Sequence, residues 1–134
     1  ILLIEDAEAA RERGVPTVYG EITGYAATLD PAPGSGRPPG LRRAAEGAIA
    51  DAGLRPEDID VVLADASGDP AADRAESAAL AGIFGPGAVP VTAPKSMTGR
   101  LLAGGAALDV ATALLALRDG VIPPTVNVTE AAPD

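Results

Sequence analysis

The sequence contains no cysteine and no histidine, and each absence removes a class of chemistry. Without cysteine, these residues can form no disulfide, no thiolate metal site and no cysteine nucleophile. Without histidine, they lack the side chain that most often serves as a general base or a metal ligand, so we expect no metal site. Aromatic residues are only 2% of the chain, whereas hydrophobic residues make up 47%. The core must therefore be built from small and aliphatic side chains.

The chain has little positive charge, and its 134 residues carry a formal net charge of -9. This balance argues against binding to nucleic acid or to an anionic membrane surface, because both need a basic face. The apolar runs are too interrupted to predict a transmembrane helix, and no signal-peptide pattern is present. We therefore expect a soluble cytoplasmic protein. The chain opens on ILLIE without a starting methionine, so we also expect a segment of a longer protein.

Short apolar runs alternate with helical patterns along the chain. We expect buried or extended strands at residues 1–4, 17–28, 59–64, 88–92 and 125–128. We expect helices at residues 5–13, 41–52 and 70–84, and a last helix that follows residues 94–100 without a break and ends at Arg118. The alternation predicts an α/β fold with a mixed sheet. Residues 30–40 (DPAPGSGRPPG) form a loop, which could be a surface connection or a flap over a site.

Two polar turns follow predicted strands, at residues 65–69 and 94–100. In α/β sheets, sites lie at the carboxyl ends of the strands, so these turns are the place to look for chemistry. The last helix is apolar almost all round, which predicts burial on most sides. Its Gly104 and Gly105 suggest the close approach of another backbone. Gly20 and Gly24 in the second strand suggest either a bulge or a close backbone approach.

The same turns carry a resemblance to a known family. KSMTG at residues 95–99, followed by an apolar Gly/Ala-rich helix and LALRDGVIPPTVN, resembles the β-ketoacyl synthases of fatty acid and polyketide synthesis. DASGDPAADRAES at residues 65–77 resembles a second segment of that family, and YGEITGYAATLD is similar to the strand that opens its second half. The resemblance implies a thiolase-like layered α-β-α-β-α fold. It also implies that residues 1–16 end the N-terminal half, whereas residues 17–134 form a truncated C-terminal half.

The departures from the family pattern are informative. The resemblance implies two histidines that hydrogen-bond a thioester carbonyl and stabilise an enolate, in the manner of an oxyanion hole. Asp65 and Arg100 stand at those two positions, whereas Lys95 and Glu76 match the family's lysine and glutamate. We expect Asp65 and Arg100 to form a salt bridge that fills a degenerate site, with Lys95 paired to Glu76. No catalytic residue is then expected in this chain.

With both histidines replaced and the rest of the pattern kept, the sequence is similar to the chain length factor. The chain length factor is the non-condensing ketosynthase β subunit of type II polyketide synthases. That resemblance implies a heterodimer with a ketosynthase α subunit and an acyl carrier protein as a further partner. It implies no cofactor of the chain's own, the phosphopantetheine arm of the carrier being the substrate carrier. Without the rest of the polypeptide, the 134 residues are expected to be poorly soluble or unfolded. An alternative is an atypical acyltransferase, with Arg100 as electrophilic donor and a Ser or Cys nucleophile upstream.

Overall fold

The protein is described by a computed structural model that covers residues 2–32 and 34–129. Within those residues the chain forms α-helices connected by turns and by one pair of short parallel strands. The helices are α1 (Ala7–Glu12), α2 (Leu41–Asp51), α3 (Pro70–Phe84) and α4 (Gly105–Asp119), and the strands are β1 (Val62–Leu63) and β2 (Val91–Thr92). Single 3₁₀ turns occur at Pro56–Asp58, Pro94–Met97 and Leu102–Gly104.

The two strands and helix α3 form a β-α-β unit that places both polar turns at one sheet edge. Strand β1 pairs in parallel with β2, with Val62 opposite Val91. Two further backbone hydrogen bonds extend the pair at its ends, from the Val62 N–H to the Pro90 carbonyl and from the Ala64 N–H to the Thr92 carbonyl, both 2.9 Å. The predicted strands at 59–64 and 88–92 are therefore correct in place but shorter than expected. Within the described residues the sheet is parallel, and the mixed sheet remains an expectation for the larger fold.

The strands predicted at residues 1–4, 17–28 and 125–128 are wrong within the described residues. Residue 1 lies outside them, residues 2–4 and 17–28 have no regular secondary structure, and residues 126–127 form a turn. A strand needs a neighbour to satisfy its backbone groups, and no described segment pairs with these. Their apolar side chains are accordingly exposed, with Leu3 83% and Tyr25 75% accessible. The C-terminal segment 130–134 also lies outside the described residues.

Residues 17–28 nevertheless pack closely against two helices at their glycines. A Cβ on Gly24 would lie 2.2 Å from the Ala48 carbonyl oxygen of α2. A Cβ on Gly20 would lie 2.7 Å from a methyl carbon of Leu114 in α4. The close backbone approach predicted at Gly24 is therefore confirmed, whereas the close neighbour of Gly20 is a side chain and not a backbone.

Local capping explains where the helices start and stop. The Asp69 carboxylate accepts hydrogen bonds from the N–H groups of Ala71 and Ala72, and Pro70 occupies the first helical position of α3. Asp6 caps α1 in the same way. Helix α4 ends at Gly120 in the left-handed conformation, with φ of 65°. These ends agree with the sequence because capping depends on residues that are near one another in the chain.

Helix α4 differs from its prediction in two respects. It does not run on directly from the turn, because a 3₁₀ turn intervenes and the helix starts at Gly105. It is also not buried all round, since Leu115 is 46% and Leu117 70% exposed among the described residues. No backbone approaches Gly104 or Gly105 closely among the described residues, contrary to the expectation. The atom nearest a Cβ on Gly104 would be a side-chain carbon of Leu101 at 3.5 Å, and the atom nearest a Cβ on Gly105 would be a side-chain carbon of Lys95 at 3.8 Å. The two glycines lie at the helix start, where they cost less than in its interior.

The core is small and built from small side chains. The buried hydrophobic residues are Ala10, Ala64 and Ala93. The accessible surface is 9512 Å², whereas a folded monomer of this mass has about 6,400 Å². The exposed apolar side chains of residues 17–28 and α4 contribute to this excess of about 3,000 Å². No helix among the described residues meets the length and hydrophobicity that crossing a bilayer requires.

Candidate functional site

The two polar turns meet through an ion pair between Asp65 and Arg100. Asp65 follows β1 directly and Arg100 follows the 3₁₀ turn after β2, so the parallel pairing carries both to the same edge of the sheet. The Arg100 Nη2 atom lies 2.9 Å from the Asp65 Oδ2 atom. The salt bridge expected from the sequence is therefore present.

The turn that carries Asp65 is held through its backbone by two carboxylates of α3. Glu76 accepts hydrogen bonds from the Asp65 N–H (2.8 Å) and from the Ala66 N–H (2.9 Å). Asp73 accepts from the Ser67 hydroxyl (3.0 Å) and from the Gly68 N–H (3.2 Å). Asp73 and Glu76 are therefore more than solvated side chains of a helix surface. Their three-residue spacing puts both on the helix face that meets the turn.

These hydrogen bonds support an uncommon backbone conformation. Ala66 has φ of 42°, in the left-handed region that residues with a Cβ seldom adopt. Gly68 has φ of 81°, which costs glycine little. Because Glu76 binds the N–H groups of the two peptide units that flank the Cα atom of Asp65, it fixes the direction in which the Asp65 side chain leaves the turn. Glu76 thus acts on Asp65 through the backbone.

The expected pairing of Lys95 with Glu76 is wrong. Lys95 instead forms an ion pair with Asp109 of α4, and its side chain is only 5% exposed. Both oxygens of Glu76 are already used by backbone N–H groups, which leaves the ammonium group to the other carboxylate. One oxygen of Asp109, Oδ1, is buried without a hydrogen-bond partner among the described residues. The sequence held a signal for this pair, since Asp109 is the single acid between Glu76 and Asp119 and its neighbours at residues 105–108 and 110–111 are all apolar.

The Asp65–Arg100 pair is much more accessible than the Lys95–Asp109 pair. The Arg100 side chain is 57% and the Asp65 side chain 48% exposed. An ion pair in water is worth at most about 1 kcal/mol, because solvent screens the attraction and two long side chains lose freedom. The pair therefore adds little to the free energy of folding, and its main consequence is the pair of opposite charges that it places at this sheet edge.

A cavity of about 750 Å³ opens beside this ion pair, between α3 and the Pro/Gly-rich loop. One wall consists of small and apolar residues of α3 and of the loop end. The other walls carry charge of both signs. The charged lining residues are Asp30, Arg37, Arg42, Arg43, Asp65, Asp73, Glu76 and Arg100. The loop thus borders this cavity, and both interpretations of the loop stay predictions.

The charges of Asp65 and Arg100 at this sheet edge are unsuited to the stabilisation of an enolate. A negative charge that develops near Asp65 would meet a carboxylate at short range, which is repulsive. Arg100 could donate to an oxyanion, but its guanidinium already faces Asp65. Across residues 2–32 and 34–129 there is no group of three or more acidic side chains placed to hold a metal ion.

Comparison with known proteins relates this geometry to one family. The model of the β-ketoacyl synthase C-terminal domain matches residues 19–129. The chain is 63% identical over 133 residues to the tetracenomycin polyketide synthase ketoacyl synthase beta subunit of Streptomyces glaucescens. That alignment covers 99% of this chain and 32% of the relative, so the chain spans about a third of the length of that protein.

Solved structures show the same fold. The ishigamide ketosynthase/chain length factor superimposes with a TM-score of 0.85 at 35% identity, covering 95% of this chain and 32% of that one. A type II polyketide synthase complex, AntDE:AntF, in which an acyl-carrier protein is bound to its ketosynthase, superimposes with a TM-score of 0.83 at 28% identity. That match covers 96% of this chain and 33% of the other. The predicted α/β, thiolase-like ketosynthase fold is confirmed by these similarities.

Proposed function

This chain belongs to the β-ketoacyl synthase family, and from that membership we propose that it is part of a non-condensing partner subunit of a type II polyketide ketosynthase. In this proposal the complete polypeptide forms a heterodimer with a ketosynthase α subunit and helps to set the length of a poly-β-ketone. The growing chain is carried by an acyl carrier protein through its phosphopantetheine arm, and the subunit has no cofactor of its own. Residues 17–134 belong to its C-terminal half and residues 1–16 to the end of its N-terminal half.

One observation carries the proposal: Asp65 and Arg100 are paired with each other at the two positions where the family resemblance implies histidines. Each charge neutralises the other, so neither is available in the form that enolate stabilisation requires. Lys95 and the glutamate at position 76 are retained, but both serve the scaffold. Lys95 holds α4 through Asp109, and Glu76 holds the turn. The arrangement therefore supports a site that keeps its framework without its chemistry.

The relatives support the same interpretation. The beta subunit of Streptomyces glaucescens is by its name a ketoacyl synthase subunit of a polyketide synthase, and more than half of its aligned residues are identical to those of this chain. The ishigamide structure pairs a ketosynthase with a chain length factor. The AntDE:AntF structure supports an acyl carrier protein as a further partner.

The decisive test is decarboxylation of a malonyl-carrier substrate by the complete polypeptide, with and without a ketosynthase α subunit. We expect no decarboxylation by the polypeptide alone and activity only when the partner is present. The variant Arg100→Ala should leave the activity of the pair within about twofold, since an exposed ion pair contributes little. Arg118→Ala is a matched control, because Arg118 is similarly exposed and paired with Asp119.

The alternative is an atypical acyltransferase in which Arg100 donates to the substrate carbonyl and an upstream Ser or Cys is the nucleophile. The exposed guanidinium of Arg100 beside a cavity is the observation that favours it. Activity of the complete polypeptide without a partner, lost in Arg100→Ala and kept in Arg118→Ala, would overturn the proposal in favour of this alternative.

A further inference from the structure

The sequence contains a single Asp-Gly pair, Asp119–Gly120, and no Asn-Gly pair. The pair lies at the end of α4, where Asp119 is the last helical residue and Gly120 follows in the left-handed conformation with φ of 65°. The Asp119 side chain is 50% exposed, so water reaches its carboxyl group. An aspartate before a glycine is chemically reactive, because glycine has no Cβ to hinder the approach of its backbone nitrogen to the carboxyl carbon.

The reaction open to such a pair is an intramolecular condensation. The Gly120 nitrogen forms a bond to the Cγ atom of Asp119, the bond from Cγ to its hydroxyl breaks, and that hydroxyl leaves as water with the proton of the nitrogen. Water then adds to either carbonyl carbon of the cyclic imide. One opening restores aspartate, whereas the other leaves isoaspartate, in which the main chain runs through the side-chain carbon. The group attacked is the neutral acid, since only the neutral acid can release water.

Two contacts of the fold oppose the first step. The Gly120 N–H donates to the Ala116 carbonyl at 2.8 Å, which keeps the nitrogen in the last turn of α4. The Arg118 Nε and Nη2 atoms lie 2.6 Å and 2.8 Å from the two carboxyl oxygens of Asp119. Through these hydrogen bonds Arg118 holds the pKa of the Asp119 carboxyl below its usual range. Tyr19 faces Arg118 from residues 17–28 and stays neutral below about pH 10.

We infer that Asp119–Gly120 is a site of isoaspartate formation, and that Arg118 protects it through its bidentate contact with the carboxyl group. The last turn of a helix opens more often than its middle, so the Gly120 nitrogen is released while the rest of the fold persists. The hydrogen bond to Ala116 therefore slows the reaction without preventing it, and the charge state of Asp119 sets the remaining rate. This inference does not depend on the proposed function, because it concerns a modification of the chain and not condensation.

The test is prolonged incubation of the complete polypeptide near neutral pH, followed by peptide mapping that separates isoaspartyl from aspartyl peptides. We expect isoaspartate to accumulate at position 119. Arg118→Ala should react faster by up to about fivefold, since an exposed ion pair shifts an equilibrium by at most about that factor. Arg118→Lys should lie between the two, because it keeps the charge without the bidentate geometry. In denaturing urea, where the contact is lost, most of the difference should disappear.

Asp51 is the matched control position, because it is the last residue of α2 as Asp119 is of α4, whereas the residue that follows it is Ala52, which has a Cβ. Isoaspartate at Asp51 equal to that at Asp119 would overturn the choice of site. Equal rates at Asp119 in the natural protein and in Arg118→Ala would overturn the protective role.

The pH profile separates protection through the carboxyl group from a general effect on the helix end. The rate difference between the natural protein and Arg118→Ala should be constant near neutral pH, where the Asp119 carboxyl is ionised in both. It should vanish as the pH falls through the lowered pKa of Asp119, because the carboxyl is then neutral in both. A difference that persists in acid would overturn the assigned role of Arg118.

Discussion

The ion pair between Lys95 and Asp109 gives the sharpest test of how these residues hold together. The Lys95 side chain is 5% exposed, whereas that of Asp109 is 21% exposed. The pair joins the second polar turn to α4, at the point where the helix begins. We expect Asp109→Ala to be the most destabilising single substitution at this site, and Lys95→Met to cost less.

The magnitudes follow from the two exposures. Removal of Asp109 leaves an ammonium group buried without its counter-charge, which costs about 3–5 kcal/mol. Removal of Lys95 leaves a carboxylate that reaches water with part of its surface, so the cost falls to about 1–3 kcal/mol. The double variant Lys95→Met/Asp109→Leu leaves neither charge and should lie within about 1 kcal/mol of the natural protein.

The assay is urea unfolding of the complete polypeptide, with the free energy taken from the midpoint and slope of each transition. Asp119→Ala is the control, because Asp119 belongs to an exposed ion pair with Arg118. Its replacement should cause no measurable change in the free energy of unfolding. The reasoning is refuted if Asp109→Ala is no more destabilising than this control. It is equally refuted if the double variant is as unstable as Asp109→Ala.

Three further predictions concern other contacts of the fold. Gly24→Ala should destabilise by about 1–3 kcal/mol in urea unfolding because its Cβ would overlap the backbone of α2, whereas Gly105→Ala, which has room for a Cβ, should not destabilise. Glu76→Ala should cost about 1.5–3 kcal/mol, since two backbone N–H groups lose a charged acceptor; a smaller loss than in a surface Glu→Ala variant would contradict the backbone role. The Arg55 side chain, by its hydrogen bond and charge, holds the pKa of the Asp58 carboxyl below its usual range. A carboxyl group whose pKa is lowered by folding stabilises the fold at pH values above the ordinary pKa of Asp. The difference in urea midpoint between the natural protein and Asp58→Asn should therefore be constant near neutral pH. It should shrink as the pH falls through the lowered pKa of Asp58; a difference that grows on acidification would contradict this.

Helix positions were predictable because their signals are local. Asp69 and Pro70 mark the start of α3, and Gly120 marks the end of α4, all within one turn of the helix they bound. The β-branched and aromatic composition of residues 17–28 predicts a strand, which the structure does not have there. Such composition favours a strand only where a neighbouring strand is available, and that depends on residues far away in the chain.

The site was predictable in part. The meeting of Asp65 and Arg100 followed from the family resemblance together with the rule that sites lie at the carboxyl ends of parallel strands. The partner of Lys95 did not follow, because the resemblance pointed to Glu76 and the structure pairs Lys95 with Asp109. The choice was decided by the backbone N–H groups of the turn, which occupy Glu76. Hydrogen-bond partners of this kind depend on φ angles such as that of Ala66, which sequence patterns do not specify.

The hydrogen bonds that hold the turn at residues 65–68 affect which substitutions the turn can accept. Glu76 and Asp73 bind the turn through main-chain N–H groups and the Ser67 hydroxyl, and neither binds the side chain of residue 65. The identity of that side chain is therefore uncoupled from the shape of the loop that presents it. A substitution at position 65 can therefore change the charge beside Arg100 at this sheet edge while the turn keeps its shape.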